Sequence, residues 1–211
     1  SNWIAFLDSD EIWNCQWIET VIQIITQRKL THHDEVCISA KRQYKAIESL
    51  NIVQNSISLK QPKIVEKRFY HLYISNFLPT SSVVMPKKKI YNRFLENIRY
   101  GEDYLAWILS ATPDSIYFVI NATYIYMFKP AFGSTGQGSN YLWMKRQLLL
   151  NLNNPEVKAK ISALGRGLII FFSFLRLPIG IIKLFFYRAV AEIEKNRKRT
   201  NFENKKNSFL R

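Results

Sequence analysis

The sequence has little cysteine, glycine or proline: its 211 residues include two Cys, seven Gly and seven Pro. Two cysteines are too few for a disulfide framework, so we expect Cys15 and Cys37 to be thiols, as in a reducing cytoplasm. The low glycine and proline content excludes collagen-like and low-complexity architectures. Apolar residues make up 47% of the chain, which is enough to bury a core and excludes wholesale disorder.

Acidic residues are also scarce, because 30 Lys and Arg stand against 16 Asp and Glu and leave a net charge of +14. The excess lies mainly in residues 158–211, which hold 13 Lys or Arg and three Glu, a net +10. Residues 1–157 hold 17 Lys or Arg and 13 Asp or Glu, a net +4. The sequence has no zinc-finger spacing, no aromatic RNA-binding signature and no basic region followed by heptads, so we expect no nucleic-acid partner.

Short apolar runs alternate with helical patterns along the first two thirds of the chain. Continuous β-formers at 3–7 predict a buried strand, and a helix with one apolar face follows Asn14. Further strands are predicted at 36–40, 80–85, 115–120 and 123–128, and a further helix at 102–111. Strands that alternate with helices predict an α/β layer structure.

Asp8 and Asp10 follow the first predicted strand directly. The carboxyl end of a strand is where open α/β sheets bind their ligands. Two carboxylates one residue apart on a tight turn supply hard oxygen ligands for Mg²⁺ or Mn²⁺, usually together with substrate phosphates. Many surface turns contain the same pair, so the motif needs support from its surroundings.

Two segments, in this order, resemble family-2 glycosyltransferases. The first is Trp-Ile-Ala-Phe-Leu-Asp-Ser-Asp-Glu-Ile-Trp at 3–13, which is similar to the metal-binding segment of that family. The second is Asn-Phe-Leu-Pro-Thr-Ser-Ser-Val-Val-Met at 76–85, followed by Gly-Glu-Asp-Tyr-Leu-Ala-Trp at 101–107, which is similar to the acceptor side. The resemblance covers roughly residues 2–145.

The resemblance implies that residues 1–145 are part of an α/β catalytic domain with a GT-A-like, doubly wound mixed sheet. The nucleotide-binding half that opens this family is missing from the sequence. We therefore expect the isolated chain to be inactive or unstable, because a sheet cut in half exposes an edge strand. The sequence departs from the family at Glu11, where Asp is commoner, and no His follows Asp103 as the late metal ligand of some members.

The resemblance also assigns roles to four acidic residues. Asp103 would be the catalytic base and Glu102 its neighbour, while Asp10 would be the main ligand of Mn²⁺ or Mg²⁺ and Asp8 would contact the donor or the metal. A different interpretation exists for the Glu102-Asp103 pair, because acids at a helix N-terminus are favoured by the helix dipole whatever their function.

Two binding regions complete the implied site. Acceptor contacts would come from Thr80, Ser81, Ser82 and Trp107. A mobile loop over the donor phosphates would contain Gly136, Gly138 and Ser139. The alternative for Thr80, Ser81 and Ser82 is that they are strand residues that only pack. The alternative for the glycine-containing loop is a plain surface linker.

The C-terminal quarter predicts a helical extension at 146–200 and a polar basic tail at 201–211. No uncharged run in it approaches the roughly 20 residues needed to span a bilayer. At 3.6 residues per turn, an arc of about 140° contains the cations and small residues of the segment: Arg166, Ser173, Arg176, Gly180, Lys183 and Arg188. This pattern predicts an interfacial helix at 164–200 on an anionic membrane surface, with a kink or break at Pro178. The alternative is a helix pair packed on the domain or on another subunit.

The resemblance, taken with these observations, implies a metal-dependent inverting glycosyltransferase that moves a sugar from a nucleoside-diphosphate donor to a hydroxyl of a glycan or glycolipid acceptor. The resemblance places it in bacterial surface-glycan synthesis, peripheral at the cytoplasmic face of the membrane. One alternative is a metal-dependent nucleotidyl- or phosphotransferase, which needs no acceptor base. Another is a non-catalytic, membrane-associated glycan-assembly protein.

Overall fold

A computed structural model describes residues 2–44, 63–90, 94–95, 101–127 and 141–182, together with positions 185 and 189. The described strands are β1 (Trp3–Ala5), β2 (Glu11–Trp13), β3 (Val36–Tyr44), β4 (Ile64–Arg68), β5 (Val84–Pro86) and β6 (Ile116–Met127). The described helices are α1 (Trp17–Gln27), α2 (Tyr70–Ile74), α3 (Lys87–Ile90), α4 (Glu102–Ser110), α5 (Tyr141–Asn151), α6 (Pro155–Lys160) and α7 (Ala163–Ile182). The chain is therefore a mixed α/β protein, as the sequence predicts.

The strands form one mixed, six-stranded sheet. Its order is β1-β5-β3-β6-β2, and β4 pairs with β6 as well. β3 and β6 run parallel, whereas the other pairs are antiparallel. Within the described residues, β1 has a partner strand on one edge only, and it is half-buried rather than buried. The predicted metal motif thus begins at the end of a strand on the margin of this sheet.

Helices cover both faces of the sheet. Because alternate residues of its central strands point to opposite sides, each face packs into a separate hydrophobic cluster. On one face, Ile38 of β3 packs in a cluster with Trp17 of α1. On the other face, Cys37 of β3 shares a cluster with Trp107 of α4. The residues on α5, α6 and α7, or directly after α5 and α6, that join this second cluster are Leu148, Leu152, Val157, Ile161 and Ile169. The described part of the helical extension expected at 146–200 therefore shares one core with the sheet.

Two predicted elements differ from the structure. The strand expected at 80–85 begins as a 3₁₀ turn, Thr80–Ser82, and the strand itself is only Val84–Pro86. The reason is local, since the backbone and the hydroxyl of Ser82 both donate to the carbonyl of Pro79, at 2.9 and 2.8 Å. Residues 115–128 were expected as two strands with a turn, but Ile116–Met127 is one long strand that pairs with three others.

The orientation of α7 also differs from the expectation. Ile169, Ser173 and Gly180 are buried against the domain, and the helix runs through Pro178 without a break. Arg166 and Arg176 turn toward the protein, where Arg176 donates to the carbonyl of Ile74. The described part of the arc of cations and small residues is therefore the packed face of the helix, while Lys183 and Arg188 lie outside the described residues. Its exposed face is apolar instead: Leu164, Ile170, Phe171, Phe174, Leu175, Ile179 and Ile182.

Candidate functional site

A cavity of about 690 Å³ lies at the end of β1, between the start of α4 and the inner face of α7. This volume is in the range of small-molecule sites. One set of its lining residues is acidic: Asp8, Glu102 and Asp103. Another set is basic: Arg42, Lys145 and Arg176. The cavity therefore offers both signs of charge to a bound molecule.

Asp8 and Asp10 lie on a tight turn, as the sequence predicts. The backbone N–H of Glu11 donates to the carbonyl of Asp8 at 3.1 Å, which closes the turn after β1. Ser81 holds it from the other side, because its hydroxyl accepts the backbone N–H of Asp8 at 2.9 Å. The Asp8 carboxylate lines the cavity, whereas Asp10 is exposed and is not one of the described lining residues.

The start of α4 presents the second acidic pair. Gly101 precedes the helix with a φ of 76°, in the left-handed region where a side chain would be strained. This turn places Glu102 and Asp103 in the first helical turn, and both side chains line the cavity. The hydroxyl of Thr80 donates to Oδ2 of Asp103 at 2.7 Å, which fixes the carboxylate against the 3₁₀ turn. The structure thus brings Thr80, Asp103 and Asp8 into one cavity.

Glu102 has an unusual electrostatic environment. Burial raises the pKa of its carboxyl above the ordinary value, and the negative charges of Asp103 and Asp8 raise it further. A hydrogen bond with its own backbone opposes this shift without cancelling it. Three carboxylates therefore converge closely enough to influence one another, and clustered acids of this kind are typical of functional sites.

This environment predicts that Glu102→Gln raises stability at neutral pH. Because the pKa is higher in the folded than in the unfolded state, the folded protein binds this proton more readily, and stability falls as pH rises between the two pKa values. Removing the charge should therefore raise Tm at pH 7, with a gain that shrinks as the pH falls from the raised folded pKa toward about 4, where the carboxyl is protonated in both states. Glu156→Gln is the matched control, since Glu156 is an exposed acid in the first turn of α6. Equal Tm values for Glu102→Gln and wild type at pH 7 would contradict the assignment.

Three of the predicted acceptor contacts are buried in the structure. Ser81 and Ser82 have no exposed surface, and Ser82 forms a 2.7 Å hydrogen bond with Ser39 of β3. Trp107 is also fully buried, with its ring edge-on to Phe6 at 5.3 Å. Their side chains hold the walls of the cavity and do not line it, whereas Thr80 does. The predicted donor-loop residues Gly136, Gly138 and Ser139 lie outside the described part of the chain.

The residues that could hold a hard divalent cation are the two carboxylates on the turn after β1. Asp8 and Asp10 would be its protein ligands, and carboxylate oxygens are the donors that Mg²⁺ and Mn²⁺ prefer. Within the described ranges, no group of three or more His, Cys, Asp and Glu side chains has metal-binding geometry. Two carboxylates still suffice when phosphate oxygens of a substrate complete the coordination, as is common for Mg²⁺.

Sequence reasoning missed the basic part of the cavity. Arg42 lies on β3 and pairs with Glu11 at 3.3 Å, which ties the acidic turn to the middle of the sheet. Lys145 comes from α5 and Arg176 from α7. No local motif marks any of the three, because each comes from a different element that only tertiary packing brings to the cavity.

No protein-family model matches the chain, and neither a curated protein nor a solved structure matches it. The function must therefore be argued from the cavity itself.

Proposed function

We propose that the chain carries the acceptor and metal sites of a metal-dependent inverting glycosyltransferase with a GT-A-like sheet. The observation that carries the proposal is the position of Asp103, whose carboxylate lines the same cavity as Asp8 and is oriented by Thr80. A fixed carboxylate beside a metal-binding turn supplies the two functions that transfer from a nucleotide sugar requires. These are a base for the acceptor hydroxyl and charge neutralisation at the leaving diphosphate.

In this proposal Asp103 takes the proton of the acceptor hydroxyl as that oxygen attacks the anomeric carbon of the sugar. The C–O bond to the nucleoside diphosphate breaks in the same step, so one displacement inverts the anomeric centre. Asp8 and Asp10 would hold Mn²⁺ or Mg²⁺, which stabilises the charge of the diphosphate when it is bound. Thr80 keeps the Asp103 carboxylate in place through its hydrogen bond of 2.7 Å.

The test is release of nucleoside diphosphate from a panel of nucleotide sugars by the protein at its natural length. We expect one donor to be turned over with Mn²⁺ or Mg²⁺, and EDTA to remove that activity. An Mn²⁺-dependent release of inorganic pyrophosphate or transfer of phosphate, with no sugar transfer, would support the nucleotidyl- or phosphotransferase alternative. Binding of neither Mn²⁺ nor any nucleoside diphosphate would favour a non-catalytic protein.

We further propose that the protein works at the cytoplasmic face of a membrane, with α7 lying in the interface. α7 is 20 residues long with a mean hydropathy of 1.6, so it meets the length and composition of a membrane helix. Only 22% of its apolar window is buried within the protein. Because one face packs on the domain, the helix fits an interfacial orientation better than a spanning one. The basic excess of residues 158–211 complements anionic headgroups.

Flotation with vesicles tests this orientation of α7. Phe171 and Phe174 are 59% and 58% exposed, so their replacement by Ala should leave the fold intact. Each buried Phe contributes about 1.5–3 kcal/mol, so Phe171→Ala with Phe174→Ala should weaken binding to phosphatidylglycerol vesicles roughly a hundredfold. The matched control replaces Ile18 and Ile22, exposed apolar residues of α1, by Ala. An equal loss of vesicle binding in both double variants would contradict the assignment of α7 as the membrane face.

A further inference from the structure

Arg42 has no role in the mechanism above, although it lies beside residues that have one. It lines the same cavity as Asp8 and Asp103. Its Nη1 donates to Oε1 of Glu11 at 3.3 Å. Glu11 closes the turn after β1, because its backbone N–H donates to the carbonyl of Asp8 at 3.1 Å. The guanidinium of Arg42 therefore lies against the turn that carries the candidate cation ligands.

Glu11 is a buried partner for this arginine, since its side chain is only 5% exposed whereas that of Arg42 is 36% exposed. The second carboxylate oxygen of Glu11, Oε2, is buried and has no hydrogen-bond partner among the described residues. A buried carboxylate is costly unless a positive charge compensates it, which holds Arg42 in place. The contact engages one of the five N–H donors of the guanidinium, so the other donors remain for a ligand in the cavity.

The backbone of β3 is irregular where it presents Arg42. Ile38 and Ala40 pack on the face of the sheet that α1 covers, and strict alternation would direct Arg42 to that face as well. The register of β3 with β6 shifts between Ala40 and Lys41 and again between Lys41 and Arg42. Such irregularities re-aim side chains and are frequent beside functional sites. Arg42 instead lines a cavity whose apolar wall belongs to the opposite face.

A guanidinium beside a cation-binding turn is suited to a diphosphate. Phosphate oxygens accept paired N–H bonds from the planar fork of arginine. A cation held by Asp8 and Asp10 would draw its remaining oxygen ligands from substrate phosphates, which places a diphosphate at the same turn. Because the ion pair with Glu11 keeps Arg42 at that turn, the cation and the guanidinium can share one anion.

We propose that Arg42 binds the diphosphate of the nucleotide sugar, and that Glu11 is the positioning residue that aims it. The inference rests on the proposed function and adds a residue for its leaving group. As the C–O bond to the diphosphate breaks, the guanidinium stabilises the negative charge on the leaving oxygen without giving up a proton. The competing role for Arg42 is to neutralise the acidic turn and nothing more.

The two roles predict opposite effects in a binding experiment with the protein at its natural length. The probes are Mn²⁺ alone, inorganic pyrophosphate with saturating Mn²⁺, and methyl phosphate without metal. Arg42→Gln should weaken pyrophosphate binding by about tenfold to a hundredfold, as expected for losing hydrogen bonds to a charged group. The same variant should bind Mn²⁺ at least as tightly as wild type, because it loses a positive charge beside the cation. Pyrophosphate affinity that is equal to that of wild type, or higher, would show mere neutralisation and overturn the proposal.

Arg68→Gln is the matched control, since Arg68 also pairs with a glutamate, Glu66 at 2.9 Å, but does not line the cavity. It should leave all three affinities unchanged. Arg42→Lys keeps a charge beside Glu11 without the planar fork, so it should lose part of the pyrophosphate affinity and serves if Arg42→Gln does not fold. A parallel loss of Mn²⁺ binding would overturn the proposal. A loss confined to methyl phosphate would also overturn it, because Arg42 would then serve a phosphate of the acceptor.

A double-mutant cycle tests the positioning role of Glu11. Glu11→Ala should weaken pyrophosphate binding in the wild-type background, and Glu11→Gln should weaken it less, because its amide oxygen still accepts from Arg42. Neither substitution should cause a loss in the Arg42→Gln background, since Glu11 acts through Arg42. Additive losses would refute this role.

The outcome is separable from that of the proposed function, because pyrophosphate binding requires neither a sugar nor the base. Pyrophosphate binding that depends on Arg42, without sugar transfer from any donor, would refute the transfer alone. Sugar transfer together with pyrophosphate binding that does not depend on Arg42 would refute this inference alone.

Discussion

Replacing Asp103 by Asn should lower the rate of sugar transfer by roughly 10²–10⁴-fold, the range that a positioned general base contributes. Asn has nearly the same shape and retains an oxygen that can accept the hydrogen bond of Thr80. The variant therefore removes basicity with little change in packing. The measurement is kcat of the protein at its natural length with saturating donor, and the expected KM for the donor stays close to that of wild type.

Thr80→Val is the informative companion, because it leaves Asp103 charged but removes the 2.7 Å hydrogen bond that orients it. A positioning role predicts a smaller loss of kcat than in Asp103→Asn, with partial rescue by Thr80→Ser. Wild-type transfer by Asp103→Asn would contradict the assignment of the base. Phosphoryl or nucleotidyl transfer that persists in this variant would support the alternative enzyme class, which needs no acceptor base.

Replacing Asp10 by Ala should lower transfer by roughly a thousandfold, because the protein would lose one of the two carboxylates proposed to hold the cation. A metal stabilises a leaving group by several kcal/mol, and each 1.36 kcal/mol changes the rate tenfold. Asp10 is exposed on its turn, so the fold should not suffer. The measurement is a titration of activity with Mn²⁺, in which the half-saturating concentration should rise steeply.

Asp114→Ala is the control for this variant, since Asp114 is also an exposed Asp on a turn but lies outside the cavity. It should leave both the rate and the Mn²⁺ titration unchanged. An Asp10→Ala protein with a normal Mn²⁺ titration would remove Asp10 from the metal site. The cation would then have to rest on Asp8, whose carboxylate lines the cavity.

The sheet and its helices follow from local patterns in most places. The helix at 102–111 and the strand at 36–40 are found nearly where their periodicity predicts them, at Glu102–Ser110 and Val36–Tyr44. The strand expected at 80–85 is the instructive exception, because Ser82 bonds to Pro79 and turns the backbone before the strand begins. Propensity alone does not reveal such competition between a side chain and the backbone.

The candidate site was predictable at its acidic residues and at Thr80, but not at its basic residues. Asp8 and Asp103 each belong to a local motif, so the sequence marks them before their cavity is known. Burial decides which other motif residues line the cavity. Ser81 and Trp107 belong to the same motifs but face the core. Arg176 was predicted to face lipid headgroups, and only the packing of α7 on the domain turns it toward the cavity.

The most direct test of the central claim is the anomeric configuration of the bond that the protein forms. With one base and a single displacement, we expect a product whose anomeric centre is inverted relative to the donor, as read by proton NMR of the first turnover products. Retention of configuration would contradict it, because retention requires a nucleophile and a second displacement. Absence of any glycosidic product with every nucleotide sugar tested would contradict it as well.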